Sequence, residues 1–389
     1  MFFRKLSRAI SFKPKRSTKA NRNSARPCHL KVTVGQLFEG RYTILGKLGQ
    51  GSYATVWLAR DDAAKTESTK QVAIKILTAE CTTGPESLDE LGSFLSARSH
   101  GNSGDGNERV VKLLGYFHYR GHACLILELL GESVDDVRGI LGSRRLPAQV
   151  VKKLCRDMLL ALDYLHNSGV IHTGDLIVFS DIHPSNILLA QPLSRPNPPK
   201  DELERVLIER ASHVAEPMFK LADLGHAVPT ETVHHGLIQP AELRAPEVII
   251  EASWDEKVDI WNMGCLAYEF VTGGRLFNPN YQTAERGIEP AEAHLVQIIE
   301  QIGDFDEDLL RRGIYGEKYF DFAGDLRCNV PLCRTTMEEI MTRVQKKLGV
   351  MDLAELTVFC DFLRTMLRIR PEERWPPSLI LEHHWLEVD

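Results

Sequence analysis

The first 26 residues contain no Asp or Glu, and nowhere in the chain is there a C-x2-C pair or an apolar run of membrane-spanning length. Without such a run, the body has no candidate transmembrane helix and no membrane partner is expected. The eight cysteines (Cys28, Cys81, Cys124, Cys155, Cys265, Cys328, Cys333 and Cys360) are scattered. That spacing provides neither a zinc site nor a disulfide framework, and fits reduced thiols in cytoplasm or nucleus. The acid-free start holds nine Lys/Arg, so against a net charge of −6 for the whole chain the remaining residues carry about −15. A basic, Ser-rich N-terminus reads either as a disordered tail for acidic partners or as a mitochondrial presequence. The acidic remainder argues against direct nucleic-acid binding and suits an Arg-rich protein partner.

With 389 residues, 43% of them hydrophobic and 26% charged, the chain is of ordinary globular composition and long enough for two packed lobes around a shared cleft. From Tyr42 to Leu130 the pattern is strand-like: YTILGKLG, ATVWLAR, QVAIKIL and ACLILELL are short apolar and β-branched runs bounded by Gly, Asp or Ser. One helical stretch, PESLDELGSFLSARS, interrupts them. After Gly131 the periodicity becomes helical, as in PAQVVKKLCRDMLLALDYLHNSG, KVDIWNMGCLAYEFVTG and LTVFCDFLRTMLRIRP. Residues 191–217 open with the Pro-rich QPLSRPNPPKDELERV and read as a surface insertion. The expected division is a basic tail or targeting segment over 1–41, a small β-rich lobe over 42–130 and a larger helical lobe over 131–389, an α+β class.

Several weak signals become informative by their order. Gly49-Gln50-Gly51 lies between two strand-like runs; it is an ordinary hairpin turn or a loop whose backbone N–H groups approach phosphates. It lacks a Gly-Lys-Ser ending and enters no helix, which counts against the P-loop and dinucleotide fingerprints. Lys75 lies in the apolar strand Val72-Ala73-Ile74-Lys75 and needs a carboxylate partner. Glu90 fits by phase and spacing, with Asp89 as its competitor, and the pair could hold the α- and β-phosphates of a nucleotide. Asn186 and Asp223, each beside an apolar strand, offer the hard oxygens that Mg²⁺ takes alongside phosphate. Arg244-Ala245-Pro246-Glu247 and Asp259-Ile260-Trp261 each precede an apolar helix.

Taken together, G-x-G, V-A-I-K, an Asp-x4-Asn loop, D-L-G, A-P-E and D-x-W-x-x-G resemble the signature set of eukaryotic protein kinases, from about Tyr42 to Trp385. Within that superfamily LGQGSYATVWLA, ALDYLHNSGVIHT, FKLADLGHA, LRAPEVII and GIYGEKYFDFAGDL resemble the SR-protein kinases, as do His172-Thr173 and the position of the insertion. The resemblance implies a bilobal protein-kinase fold and ATP- and Mg²⁺-dependent phosphorylation of Ser in Arg-Ser-rich proteins, a role in splicing regulation, and a monomer. It implies that Gly49, Gly51 and Val56 cover the nucleotide, with Ala54 where many kinases have a third Gly. Ala73 and Leu188 would sandwich the adenine, the backbone of Glu128 and Leu130 would bond its edge, and Leu127 would be the gatekeeper. Lys75 and Glu90 would hold phosphate, Asn186 and Asp223 the metal. Glu247 and Arg374 would fix the activation segment, and Asp259 the catalytic-loop backbone.

The catalytic loop departs from the pattern. In VIHTGDLIVFSDIHPSNILLA, Asp175 follows His-Thr-Gly, but Asp181 has the Asp-x4-Asn spacing that places a base near a metal ligand. Asp181 is therefore the expected base and Gly174–Ser180 an insertion, awkward because Leu176, Ile177, Val178 and Phe179 would need burial. His183 stands where the family has Lys, and an imidazole of ordinary pKa carries only part of a charge at neutral pH. It is either a weakened phosphate contact or a neutral space-filler. Thr173 replaces an Arg, and only Thr230 and Thr232 offer hydroxyls before Glu247, so no activation-loop phosphoswitch is expected. These departures leave a nucleotide-binding pseudokinase as the alternative. The Asp304–Asp308 run is expected either to dock a basic substrate or to be a solvated helix start.

Overall fold

Alternating strand patterns in the first third of the chain form one antiparallel sheet, and the 3.6-residue periodicity beyond it forms helices. The computed structural model describes residues 28–66, 70–83, 90–99, 104–172, 182–281 and 283–387. The chain divides into two compact units. The first draws on the described residues of Met1–Leu91, Val111–Glu132 and Gln191–Asn197, the second on those of Gly92–Val110, Ser133–Ala190 and Pro198–Asp389.

The sheet of the first unit has the order β1-β2-β3-β4-β6-β5. Its strands are β1 (Leu37–Phe38), β2 (Tyr42–Gln50), β3 (Ala54–Asp61), β4 (Gln71–Leu77), β5 (Leu113–Tyr119) and β6 (His122–Glu128). Strand alternation sends Val72, Ile74 and Ile76 to one face, where they pack with Ile44, Trp57, Ala59, Cys124 and Ile126. Each such side chain contributes about 1.5–3 kcal/mol on burial. Ala73 and Lys75 therefore point to the opposite face, with Leu58 and Val56 across β3 and Leu127 and Leu125 across β6.

This unit reaches back beyond Tyr42, into the segment expected as tail. Phe38 is wholly buried and meets Tyr119 edge to face at 4.8 Å, while Leu30 and Val32 pack on the same core. A two-residue strand is too short to register as a periodicity, which is why the sequence pattern begins only at Tyr42. Residues 1–27 lie outside the described residues, as does Pro85 of the expected helix, of which Glu90–Ser99 is described.

In the second unit the helix Ala148–Asn167 buries one continuous face, and Lys257–Thr272 is buried nearly all round. Gly264 is required there: a Cβ would lie 2.8 Å from the Leu367 side chain. Two short ribbons complete the unit. β7 (Val170–Ile171) pairs with β10 (Val228–Pro229), and β8 (Ile187–Leu189) with β9 (Phe219–Leu221). The 191–217 stretch is more than a surface loop. Its helix Lys200–Ser212 buries Leu203, Leu207 and Ala211, an i, i+4, i+8 stripe that the preceding prolines mask in the sequence. Among the described residues no helix is long and apolar enough to cross a membrane, and all eight cysteines are free thiols.

Candidate active site

In the first unit, register decides the site. A bulge between Lys47 and Gly49 brings Gly49 opposite Val56, and the Gly51 amide donates to the Ala54 carbonyl at 2.9 Å to close the hairpin. Lys75, opposite Val56 on the neighbouring strand, donates to Glu90 at 2.7 Å. Glu90 is fully buried and Lys75 nearly so. Such a pair is held by mutual compensation, and removal of one partner strands the other charge at a cost of about 3–5 kcal/mol. Asp89, the competing partner, lies outside the described residues. Farther along, Glu128 accepts the Lys112 amide through its side chain at 2.9 Å and donates its own amide to the Lys112 carbonyl at 3.1 Å. Leu127 and Ala73 face one another across β6 and β4. After Leu130, Gly131 approaches Gln191 so closely that a Cβ would stand 2.8 Å from its carbonyl oxygen.

In the second unit, the ribbon β8–β9 ends with Asn186 and Asp223. The Ala222 amide donates to the Asn186 carbonyl at 2.9 Å, so the residue before Asp223 is bonded to Asn186 itself. Asp223 has φ +66°, a left-handed conformation that a non-glycine residue holds only where its surroundings impose it. Leu188 lies opposite Lys220 in the same ribbon. Asp259, fully buried, accepts the His172 amide at 3.0 Å and the His166 Nε2–H at 2.9 Å on one carboxylate oxygen. His172 also reaches the Ala222 carbonyl through Nε2 at 3.2 Å, and burial holds its pKa below the ordinary value. One chain of bonds thus runs from Asp259 through His172 and Ala222 to Asn186. The expected base Asp181, its rival Asp175, Thr173 and the insertion 174–180 all lie outside the described residues.

His183 closes a local turn: its Nδ1 bonds the Ser185 hydroxyl at 2.7 Å, and its carbonyl accepts the Asn186 amide at 2.8 Å. Burial lowers its pKa, although Asp135, Glu269 and Glu242 pull the other way. The imidazole is therefore neutral at neutral pH, with less charge than an exposed His would bring.

Glu247 and Arg374 meet as a fully buried bidentate pair, each contact 2.7 Å, with the guanidinium over the Trp261 ring. Arg244 donates to the carbonyls of Ile238 and Gln239, and Gln239, at φ +64°, bonds Val258 and Ala245 with its side-chain amide. The Glu247–Arg374 pair is the one expected from sequence, whereas the contacts of Arg244 and Gln239 and the part played by His166 were not anticipated. His166 and Asp163, one turn apart, are both only half-buried on their helix, so no burial pattern in the sequence singled His166 out.

The Asp304–Asp308 run is not a free acidic surface. Asp304 pairs with Arg334 at 2.6 Å, Asp308 with Arg312 at 2.9 Å and Glu307 with Arg311, while Asp306 caps the helix Glu307–Arg312. The helix-start reading therefore describes it better, since its own arginines answer most of its charge.

Two hard oxygens on adjoining strand ends fit a Mg²⁺ ion that takes its remaining ligands from phosphate and water. Among the described residues there is no group of three or more His, Cys, Asp or Glu able to hold a metal alone.

These features define a protein kinase, and the family model for the protein kinase domain matches residues 42–386; the chain belongs to that family. Within it, the chain is similar to the serine/threonine-protein kinase SRPK of Physarum polycephalum, at 28% identity over 91% of this chain and 88% of that protein. A serine/threonine protein kinase of Aspergillus fumigatus is 32% identical over 91% of the chain and 86% of its own length. Protein kinase dsk1 of Schizosaccharomyces pombe is 25% identical over 91% and 82%. The SR-protein-kinase resemblance of the motifs and the enzymatic class of the chain, a protein serine/threonine kinase, both stand on these matches.

Proposed function

We propose that the chain transfers the γ-phosphoryl group of ATP to serine hydroxyls in Arg-rich proteins, Arg-Ser repeats foremost. The observation that carries this reading is the ribbon end where Asn186 and Asp223 are tied through Ala222. Mg²⁺ held by those two residues would neutralise phosphate charge as the phosphoryl group moves. Lys75, oriented by Glu90, binds phosphate oxygens, and the Gly49–Gly51 hairpin covers them with backbone N–H groups. In the first unit Ala73 and Val56 would meet the nucleotide, and the backbone of Glu128 and Leu130 would bond the edge of its base. Asp181 accepts the serine proton as the new P–O bond forms. The relative named SRPK and the net charge of about −15 over residues 27–389 support a basic substrate. The free thiols support cytoplasm and nucleus as the place of action, with mitochondrial import as the alternative for the basic N-terminus. The rival reading, a scaffold that transfers nothing, draws no support from relatives named as kinases.

Transfer from labelled ATP is measured to an Arg-Ser repeat protein and to the same protein with Arg replaced by Gln. Strong labelling of the first alone, lost in Asp181→Ala, is the expected outcome. Equal labelling of both proteins refutes the substrate class, and no labelling with ATP still bound refutes the enzymatic reading.

A further inference from the structure

We propose that a buried cluster of Arg109, Lys153 and Asp157 positions Asn186 and Asp223 for metal binding, an assignment that rests on their metal role proposed above. Lys153 and Asp157 lie one turn apart on the helix Ala148–Asn167, and all three side chains are at most 2% exposed. Polar side chains this deep serve something specific, because burial without partners is costly.

Their partners are nearly all backbone groups of one short segment. Lys153 Nζ donates to the carbonyls of Val214 at 3.0 Å and Glu216 at 2.6 Å, and to Asp157 at 2.8 Å. Arg109 donates to the Ala215 carbonyl at 2.6 Å, to the Asp105 carbonyl at 2.7 Å and to Asp157 at 3.3 Å. The second oxygen of Asp157 accepts the amides of Met218 at 2.9 Å and Phe219 at 3.0 Å. Five backbone groups between Val214 and Phe219 are therefore fixed by three side chains. Burial lowers the pKa of Lys153, while Asp157 acts to keep it charged.

This segment is where the 191–217 insertion returns to the shared fold. Phe219 begins β9, whose register against β8 is Phe219 to Leu189, Lys220 to Leu188 and Leu221 to Ile187. That register delivers Ala222 to Asn186 and sets Asp223 next in line. A shift of one residue at Phe219 would invert every side chain of the strand. The cluster thus acts as a register clamp, isolating the metal ligands from the insertion that precedes them. Gly106 makes it possible: a Cβ there would stand 2.4 Å from the Leu160 carbonyl oxygen, so only glycine lets the loop carrying Arg109 lie against the helix.

Isothermal titration calorimetry of the full chain with ATP, in EDTA and in saturating MgCl2, tests this. The ratio of the two Kd values reports the metal's contribution to binding without requiring turnover. Asp157→Asn is expected to cut that ratio by about 10-fold, the loss typical of an outer-shell partner, while the Kd in EDTA is unchanged. Lys153→Met provides the same reading if the Asn variant fails to fold. Leu207→Ala, which loosens the insertion elsewhere, controls for lost stability and is expected to keep the full ratio. An unchanged ratio in the folded cluster variants, or an equal fall in Leu207→Ala, overturns the clamp. Asp223→Asn separates the two levels. If it too keeps the wild-type ratio, or wild type shows no metal gain, the metal reading fails and the clamp with it. Loss in Asp223→Asn with retention in the cluster variants overturns the clamp alone.

Discussion

Arg374 and Glu247 stand 127 residues apart in sequence and meet fork to fork, both guanidinium–carboxylate contacts 2.7 Å and both side chains fully buried. The same guanidinium donates to the carbonyls of Arg368, Ile369 and Lys257, so it ties the Ala-Pro-Glu segment to the last turns of the domain. Arg374→Lys keeps the charge but cannot reproduce the fork. It is expected to destabilise the second unit by about 1–3 kcal/mol, the cost of buried hydrogen-bonding groups left unmatched. Denaturant unfolding of the two proteins measures this, and a difference below 1 kcal/mol would show that the pair is dispensable.

Lys75 and Glu90 lead to a split prediction. Lys75→Met should lower kcat/KM by about 100- to 1,000-fold, as expected when a charge aimed at the reacting phosphate is lost. Glu90→Gln leaves the ammonium present but poorly held, and is expected to fall between wild type and Lys75→Met. Steady-state kinetics with varied ATP decides. An activity in Glu90→Gln equal to wild type would show that Lys75 needs no carboxylate to place it.

His183 is neutral at the position where a fixed positive charge serves other kinases. His183→Lys is accordingly expected to raise kcat by about 10-fold, the low end of what one well-aimed electrostatic contact supplies. A fall in kcat would identify the imidazole's bond to Ser185 as its contribution, with shape outweighing charge at this place.

The pH dependence of stability follows from His294, which packs against Phe277 with ring centroids 5.0 Å apart and is driven by burial, and further by Arg244, to a pKa of about 3. Above pH 6.5 the ring is neutral folded or unfolded and contributes no slope. Below it the unfolded chain takes up a proton that the folded chain refuses, so stability falls with pH by up to about 1.4 kcal/mol per unit. His172, also lowered by burial, adds a slope of the same sign. Replacing His294 with Phe should flatten the decline between pH 6.5 and 5 in urea titrations; an unaltered slope would place the sensitivity elsewhere.

Asp181 and the insertion before it call for a paired comparison. Asp181→Ala is expected to abolish transfer in the full chain and in a 174–180 deletion alike. Residual activity in Asp181→Ala that vanishes in Asp175→Ala would move the base to the earlier aspartate.

Most of the first unit was legible because its strands announce themselves by alternation and because Lys75 is conspicuous in an apolar run. Its partner Glu90 followed from phase. The second unit yielded its motifs but not their connections. The sequence marks Asp259 as functional, yet not that its carboxylate serves both His166 and His172, since that depends on side chains brought together from distant segments. Lys153 and Asp157 were in plain view as an i, i+4 pair on the buried face of their helix, but a charged pair there reads equally as a surface ion pair until the carbonyls of Val214 and Glu216 are seen. The acidic run at Asp304–Asp308 left docking and a helix start equally open, because the arginines that answer it, Arg311 and Arg312 one turn on and Arg334 farther along, are seen as partners only in the fold.

The distribution of thiols supplies the chain with its own unfolding reporter. Cys28 and Cys333 are exposed, whereas Cys81, Cys124, Cys155, Cys265 and Cys360 are buried, with burial pushing Cys124 up to about 12 and Cys360 to about 11. A thiol reagent at neutral pH meets the two exposed groups in the native protein, the half-buried Cys328 more slowly because burial raises its pKa, and the buried set only as the chain opens. Because Cys81 and Cys124 lie in the first unit and Cys155, Cys265 and Cys360 in the second, the order in which they react dates the opening of each half separately.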